Sequence, residues 1–232
     1  LHGGSGSWTH WLRVLGPLTQ AGHAVWALDL PGFGASDPLP HQQDADDMLP
    51  LLAASLQHWL PGQALQIMGF SLGGMTAALL AAAYPALVRQ LVLVGPPGLG
   101  LRDKPLYRLK GWRHLADPVE QLLCHQYNLT ALMLADARQI DRATLALHTA
   151  NVQRDRLPRR RLASTDILRQ TLPRITCPVQ AVYGQEDVLY RGLWPQVAAC
   201  FGGRLQLIAG AGHWVQYEQP GVFAEAVLPM LL

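Results

Sequence analysis

Cysteine is scarce: Cys124, Cys177 and Cys200 stand far apart, with no C-x-x-C pair and an odd count. That spacing argues against a disulfide framework, and reduced, packed thiols in a cytoplasmic protein are the expectation. Charge is sparse too. Charged residues make up 15% of the chain and the formal net charge is +2, with basic residues scattered apart from one cluster, so no footprint for nucleic acid is present. No apolar run reaches the roughly 20 residues that cross a bilayer, because Pro and Gly interrupt each one; no membrane partner is expected. There is no H-E-x-x-H, and the His and Cys residues lack ligand spacing, so no metal is expected. The stretch Gly95-Pro96-Pro97-Gly98-Leu99-Gly100 is not G-x-G-x-x-G, and its prolines obstruct a helix start, which argues against a dinucleotide site. Internal repeats and an initiator Met are also missing, the chain opening at LHGGSGSW.

What is present is a chain of 232 residues, half of them apolar, enough for one substantial core. Short β-rich runs alternate with longer amphipathic ones, the pattern of a mostly parallel sheet flanked by helices. Strands are expected at His23 to Leu30, Ala64 to Phe70, Val88 to Gly95, Val179 to Gly184 and Arg204 to Gly210. Between them, Trp8, Trp11, Leu12, Leu15 and Leu18 fall at helical spacing, Asp44 to Leu60 opens with acids suited to a helix N-terminus, and a last helix is expected over 220–232. From about Gly100 to Leu172 the strand signals stop and several helices are expected. The domain reading is therefore a core of residues 1–99 and 173–232, with residues 100–172 as a helical lid inserted before the late strands.

At Ile67 to Ala82, IMGFSLGGMTAALLAA, a strand runs into a helix with one serine at the seam. Gly69-Phe70-Ser71-Leu72-Gly73 is G-x-S-x-G, and small residues on both sides of Ser71 suit a tight turn that lifts its hydroxyl above the carboxyl edge of the sheet. The helix N-terminus and the Leu72 backbone N–H then face the same spot. Two further groups follow late strands: the acids Glu186 and Asp187, in Gly184-Gln185-Glu186-Asp187, which spacing alone leaves open as loop carboxylates, and His213, behind the glycine-rich turn that follows Arg204 to Gly210.

With these residues in order, the chain resembles the α/β-hydrolase superfamily along essentially its whole length. That resemblance implies Ser71 as nucleophile, His213 as base and then acid, and Asp187 as the group that orients the imidazole. His2-Gly3-Gly4 matches the family's oxyanion loop after its third strand, which assigns the Gly4 and Leu72 N–H groups to a developing oxyanion. It also implies that the strands usually preceding this loop are absent from the sequence. Asp29 to Asp37, DLPGFGASD, is a further family match with a structural role. A serine, rather than an aspartate, at position 71 points to acyl transfer without a cofactor.

For the substrate, a small molecule, the sequence leaves alternatives open. AGHWVQYEQP is similar to the tail of hydrolases that cleave carbon–carbon bonds of ring-fission products, with Trp214, Gln216 and Glu218 on the matching positions. The oxyanion loop lacks that group's G-x-G-P-G form, and GFSLGG lacks its Asn before Ser. Gly3 and Trp214 are candidate substrate contacts, Trp214 equally a packing residue. The cluster RDRLPRRRL, Arg154 to Leu162, could clamp a carboxylate or be a solvated helix end. Leu106, Tyr107, Trp112, Leu132, Met133 and Leu134 would line an apolar site or pack the lid. The expectation is a serine hydrolase of a small, largely apolar ester. The alternatives are a C–C bond hydrolase of ring-fission products and a non-catalytic ligand-binding protein on the same fold.

Overall fold

The computed structural model describes residues 1–102 and 104–231. Asp103 in the predicted lid and Leu232 at the end of the predicted last helix lie outside them. Four parallel strands form a sheet in the order β1-β2-β3-β4: β1 Leu65–Phe70, β2 Val88–Val94, β3 Val179–Gly184 and β4 Leu205–Ile208. Ile67 pairs with Leu91, Leu93 with Ala181, and Val182 with Gln206. Side chains alternate across β2. Leu91 and Leu93 enter a core with Leu80, Tyr183 and Val197, whereas Val92 and Val94 enter one with Val14, Trp214 and Phe223 on the other face. Burial on both faces explains why these strands are near-continuous apolar runs rather than alternating ones.

The helices are α1 Leu12–Gln20, α2 Leu49–Trp59, α3 Leu72–Ala83, α4 Pro118–Asn128, α5 Arg142–Gln153, α6 Ile167–Thr171, α7 Trp194–Cys200, α8 Val215–Glu218 and α9 Pro220–Val227. Ala-rich α3 is apolar almost all round and nearly every residue in it is buried, as befits a helix enclosed between the sheet and its neighbours. The predicted helix beginning at Trp8 starts as a 3-10 turn, Trp8–Trp11, capped by the Ser7 side chain, and becomes α1 only at Leu12. The last helix ends at Val227 and passes into a 3-10 turn, Leu228–Met230, at Pro229.

The strand expected at His23 to Leu30 does not form a ladder. On the side of β1 away from β2 lies Leu1, its amine on the Met68 carbonyl (2.6 Å) and its own carbonyl accepting the Phe70 N–H (2.9 Å). Residues 23–28 and β1 line one groove of about 500 Å³, with Leu1, Trp26, Leu28, Leu65 and Ile67 in its walls, and residues 23–30 join no ladder among the described residues. Trp26 there is 54% exposed. β4 is also shorter than expected, four residues with only β3 beside it.

Between β2 and β3 the described residues form helices and no strand. Asp117 and Asp141 cap α4 and α5 by accepting the N–H groups of Val119 and Thr144, and α4 leads into a π-helical turn at Leu129–Met133. The apolar residues noted in this stretch divide: Met133 and Leu134 are buried in the cluster that contains Trp214, Tyr107, Trp112 and Leu132 are half-buried, and Leu106 is exposed.

Candidate active site

Each strand delivers one part of the site at its carboxyl end, where open α/β sheets place ligands. β1 ends in Ser71, whose φ of 51° and ψ of −120° lie in a region that costs a non-glycine residue of order 1–3 kcal/mol. The strain is held on all sides. The Ser71 N–H donates to the Val94 carbonyl of β2 (2.7 Å), and the Ser71 carbonyl accepts from Gly74 (2.9 Å) and Met75 (3.1 Å) as α3 begins. The flanking glycines are needed for backbone clearance: a Cβ on Gly69 would lie 2.7 Å from the Gly74 Cα, and one on Gly73 would strike the carbonyls of His2 and Leu1.

β3 ends at Gly184, and the turn after it brings in Asp187, fully buried. Its Oδ1 accepts the Leu189 N–H (2.9 Å) and its Oδ2 lies 2.8 Å from His213 Nδ1. His213 Nε2 is in turn 2.9 Å from Ser71 Oγ. His213 is 2% exposed, whereas Ser71 is half-buried, so the line runs from the interior toward the accessible hydroxyl. Gly95, at the end of β2 with φ of 55°, leaves room for this pair: a Cβ there would sit 3.2 Å from both Asp187 Oδ2 and His213 Nδ1. The Tyr107 phenol is pushed above its ordinary pKa by burial and then by the Asp187 charge.

The structure thus brings Ser71, Asp187 and His213 together. It also separates the two glycines of the first loop. The Gly3 N–H donates to His10 Nδ1 (3.2 Å), while among the described residues no acceptor takes the N–H of Gly4 or of Leu72. Gly3 packs its backbone on Phe70 and Ser71, where a Cβ would lie 3.1 Å from the Ser71 Cβ. His2 holds the loop from behind, its Nδ1 on the Gly3 carbonyl (2.8 Å) and its Nε2 accepting the Leu30 N–H (2.9 Å). Acceptance at Nε2 requires a neutral ring that keeps its proton on Nδ1, and burial pushes the His2 pKa down to about 4. Burial likewise holds His10 well below its ordinary value.

Trp214 is fully buried; its Nε1–H donates to the His10 carbonyl (3.0 Å) and its ring stacks on Tyr217 at 4.0 Å. Of the arginine cluster, Arg154, Arg156, Arg159 and Arg161 are exposed, whereas Arg160 turns inward and pairs with Asp155. Its buried Nε has no partner and would lie 3.2 Å from a Cβ on Gly4.

Glu218 has a role that sequence reasoning did not supply. Its buried carboxylate accepts the N–H groups of Gly212 (2.6 Å), Asp136 (2.7 Å) and Ala135 (3.1 Å), and so ties the turn before His213 to the segment after the π-helical turn. The only signal was its place in the GHW-x-Q-x-E run. Ser5, Asn151 and Asp155, which join the first loop to the end of α5, carried no signal at all.

A parallel sheet that presents a strained serine turn at its carboxyl edge, with an imidazole and a carboxylate from later strands, defines an α/β-hydrolase fold. The chain belongs to the alpha/beta hydrolase family, whose model matches residues 1–226. It is similar to the 2-hydroxy-6-oxo-6-phenylhexa-2,4-dienoate hydrolase of Comamonas testosteroni, 28% identical over 250 residues covering 100% of this chain and 86% of that protein. Similarity to the 2-hydroxy-6-oxononadienedioate/2-hydroxy-6-oxononatrienedioate hydrolase of Klebsiella pneumoniae is 26% over 247 residues, 100% of this chain and 85% of that one. Among solved structures it superposes on a meta-cleavage product hydrolase from Pseudomonas fluorescens (TM-score 0.75, 20% identity, 98% and 88% covered). An esterase from Thermogutta terrifontis matches at a TM-score of 0.71 and 19% identity, with 99% and 87% covered. These structural likenesses are ones of fold. Together with the family match, the named relatives make the chain a hydrolase. No helix among the described residues is long and apolar enough to cross a membrane.

Proposed function

We propose that the chain is a serine hydrolase of small, largely apolar esters, with Ser71, His213 and Asp187 as its catalytic groups. The observation that carries this reading is the pair of hydrogen bonds linking Ser71 Oγ, the His213 ring and Asp187 at 2.9 and 2.8 Å. With Nδ1–H donated to Asp187, His213 Nε2 is free to take the Ser71 proton as Oγ attacks the ester carbonyl carbon. The N–H groups of Gly4 and Leu72 hold the oxyanion that forms. Collapse expels the alkoxide, which takes the proton back from His213 and leaves an acyl-Ser71. Water then attacks with His213 again as base, releasing the acid and restoring the hydroxyl. Residues 100–172 act as a lid over this edge of the sheet.

Short p-nitrophenyl esters test the reading. Wild-type turnover is expected to fall by about 10⁴-fold or more in Ser71→Ala, and a fluorophosphonate is expected to add its mass at Ser71. A folded protein that neither turns over such esters nor takes the label would be a binder instead.

A second reading, cleavage of a C–C bond in a ring-fission product, is favoured by Arg160. Its unpartnered Nε beside Gly4 is a place for a substrate carboxylate, and the relatives named above act on dienoates. On this reading dienoates outrun p-nitrophenyl esters, and Arg160→Met slows the dienoate by at least about tenfold more than a neutral ester.

A further inference from the structure

The first loop is held from two sides, and one of them is the segment that follows α5. Ser5, next to Gly4, has a φ of 51°, a left-handed conformation that a serine adopts only when its surroundings hold it there. Its hydroxyl donates to Asp155 Oδ2 at 2.6 Å. Asp155 is itself fixed: its Oδ1 accepts the Leu157 N–H (3.2 Å), its carbonyl accepts from Arg113 Nη2 (2.8 Å), and Oδ2 also pairs with Arg160. Its side chain is 8% exposed. One turn earlier, Asn151 of α5 takes a hydrogen bond from Ser7 Oγ (2.8 Å) and donates to Thr9 Oγ1 (3.0 Å). At the other end, the Gly3 N–H is tied to His10.

Gly4 therefore sits between a fixed Gly3 and a fixed Ser5, and the direction of its own N–H follows from both. We propose that Asp155 is a positioning residue for the oxyanion donor: through Ser5 it sets the orientation of the Gly4 N–H, so that seating residues 151–160 on the first loop and completing the oxyanion site are a single event. This rests on the reading of Gly4 as an oxyanion donor in a Ser71-dependent hydrolase.

The test uses the full chain and the variants Asp155→Ala, Ser5→Ala and the double variant, with a p-nitrophenyl ester as substrate. Two inhibitors are compared: a trifluoromethyl ketone, which adds Ser71 and forms an oxyanion, and the matching trifluoromethyl carbinol, which cannot. Loss of a donor of this kind lowers rates by about 10²–10³ and its misplacement by less, so kcat is expected to fall about 10–100-fold in each single variant with KM within about threefold. The ketone is expected to weaken by the same factor as kcat while the carbinol holds within about threefold. The double variant is expected to be no slower than the slower single one, because both changes act through one contact.

Should kcat per folded molecule survive in Asp155→Ala, should ketone and carbinol weaken alike, or should the two losses multiply, the positioning role is wrong and Asp155 merely anchors the chain. Wild-type turnover that Ser71→Ala abolishes separates these outcomes from failure of the underlying reading. Absence of any such turnover overturns both.

Discussion

Acidification loads the unfolded chain with protons that the folded chain refuses. His2 and His148 are buried, and burial pushes each from the ordinary 6.5 down to about 4, for His2 against the opposing pull of Asp29 and Asp155. His10 and His125 shift in the same direction for the same reason. A group whose folded pKa is depressed lends stability that is complete above its unfolded pKa, here 6.5, and is lost as the pH falls from there toward the folded value. Each pH unit inside that window is about 1.4 kcal/mol per histidine. Between about pH 7.5 and 4.5, His2 and His148 together therefore remove about 5 kcal/mol, a large share of the roughly 5–15 kcal/mol that domains possess. The carboxylates with depressed values, Asp136, Asp141 and Asp166, start from 3.8, so they act at lower pH and leave this window to the histidines. Urea unfolding followed by tryptophan fluorescence at several pH values reads the effect. With a slope of about 2–3 kcal/mol per molar, the midpoint is expected to drop by at least about 2 M across the window, and His148→Gln is expected to recover about 1 M of that drop. A midpoint that stays within about 0.5 M over the window, or a His148→Gln chain with the full wild-type pH dependence, would refute the assignment of these rings as buried and neutral.

Two substitutions probe the framework of the site. Gly73→Ala is expected to lower stability by at least about 3 kcal/mol, or about 10 °C in Tm, because its Cβ meets the carbonyls of Leu1 and His2; Gly16→Ala in exposed α1, with nothing within 4 Å, is expected to be neutral or gain up to about 1 kcal/mol. Glu218→Ala strands three N–H groups, that of Gly212 buried and those of Ala135 and Asp136 closer to solvent, and is expected to cost about 2–3 kcal/mol in urea melts, with kcat falling because Gly212 precedes His213.

The turn around Ser71 was legible because everything that specifies it is local. β1, the glycines at 69 and 73 and the apolar α3 lie within about twenty residues, and the steric reason for small flanking residues holds in any fold with that strand–turn–helix. Asp187 and His213 were readable as positions after strands, and the structure places both beside Ser71. The segment His23 to Leu30 shows the limit of such reading. Its composition matches that of a paired strand, yet pairing depends on a neighbour's backbone, and on the side of β1 away from β2 it is Leu1 rather than residues 23–30 that bonds the strand. Acids were equally opaque: Asp155 and Glu218 look no different in the sequence from solvated carboxylates, and only their buried donors reveal what they hold.

By itself, then, the chain's order of residues determined a parallel α/β sheet, a serine in a strained turn, and the order in which a carboxylate and an imidazole follow it. Tertiary structure alone decided what holds Gly3 and Ser5 on either side of Gly4, which arginine of five turns inward, and which acids bind the first loop and the histidine turn. Those choices rest on hydrogen bonds between groups up to 150 residues apart, such as Ser5 with Asp155. Local propensity and periodicity say nothing about them, because such groups meet only once the sheet and helices have closed around one core.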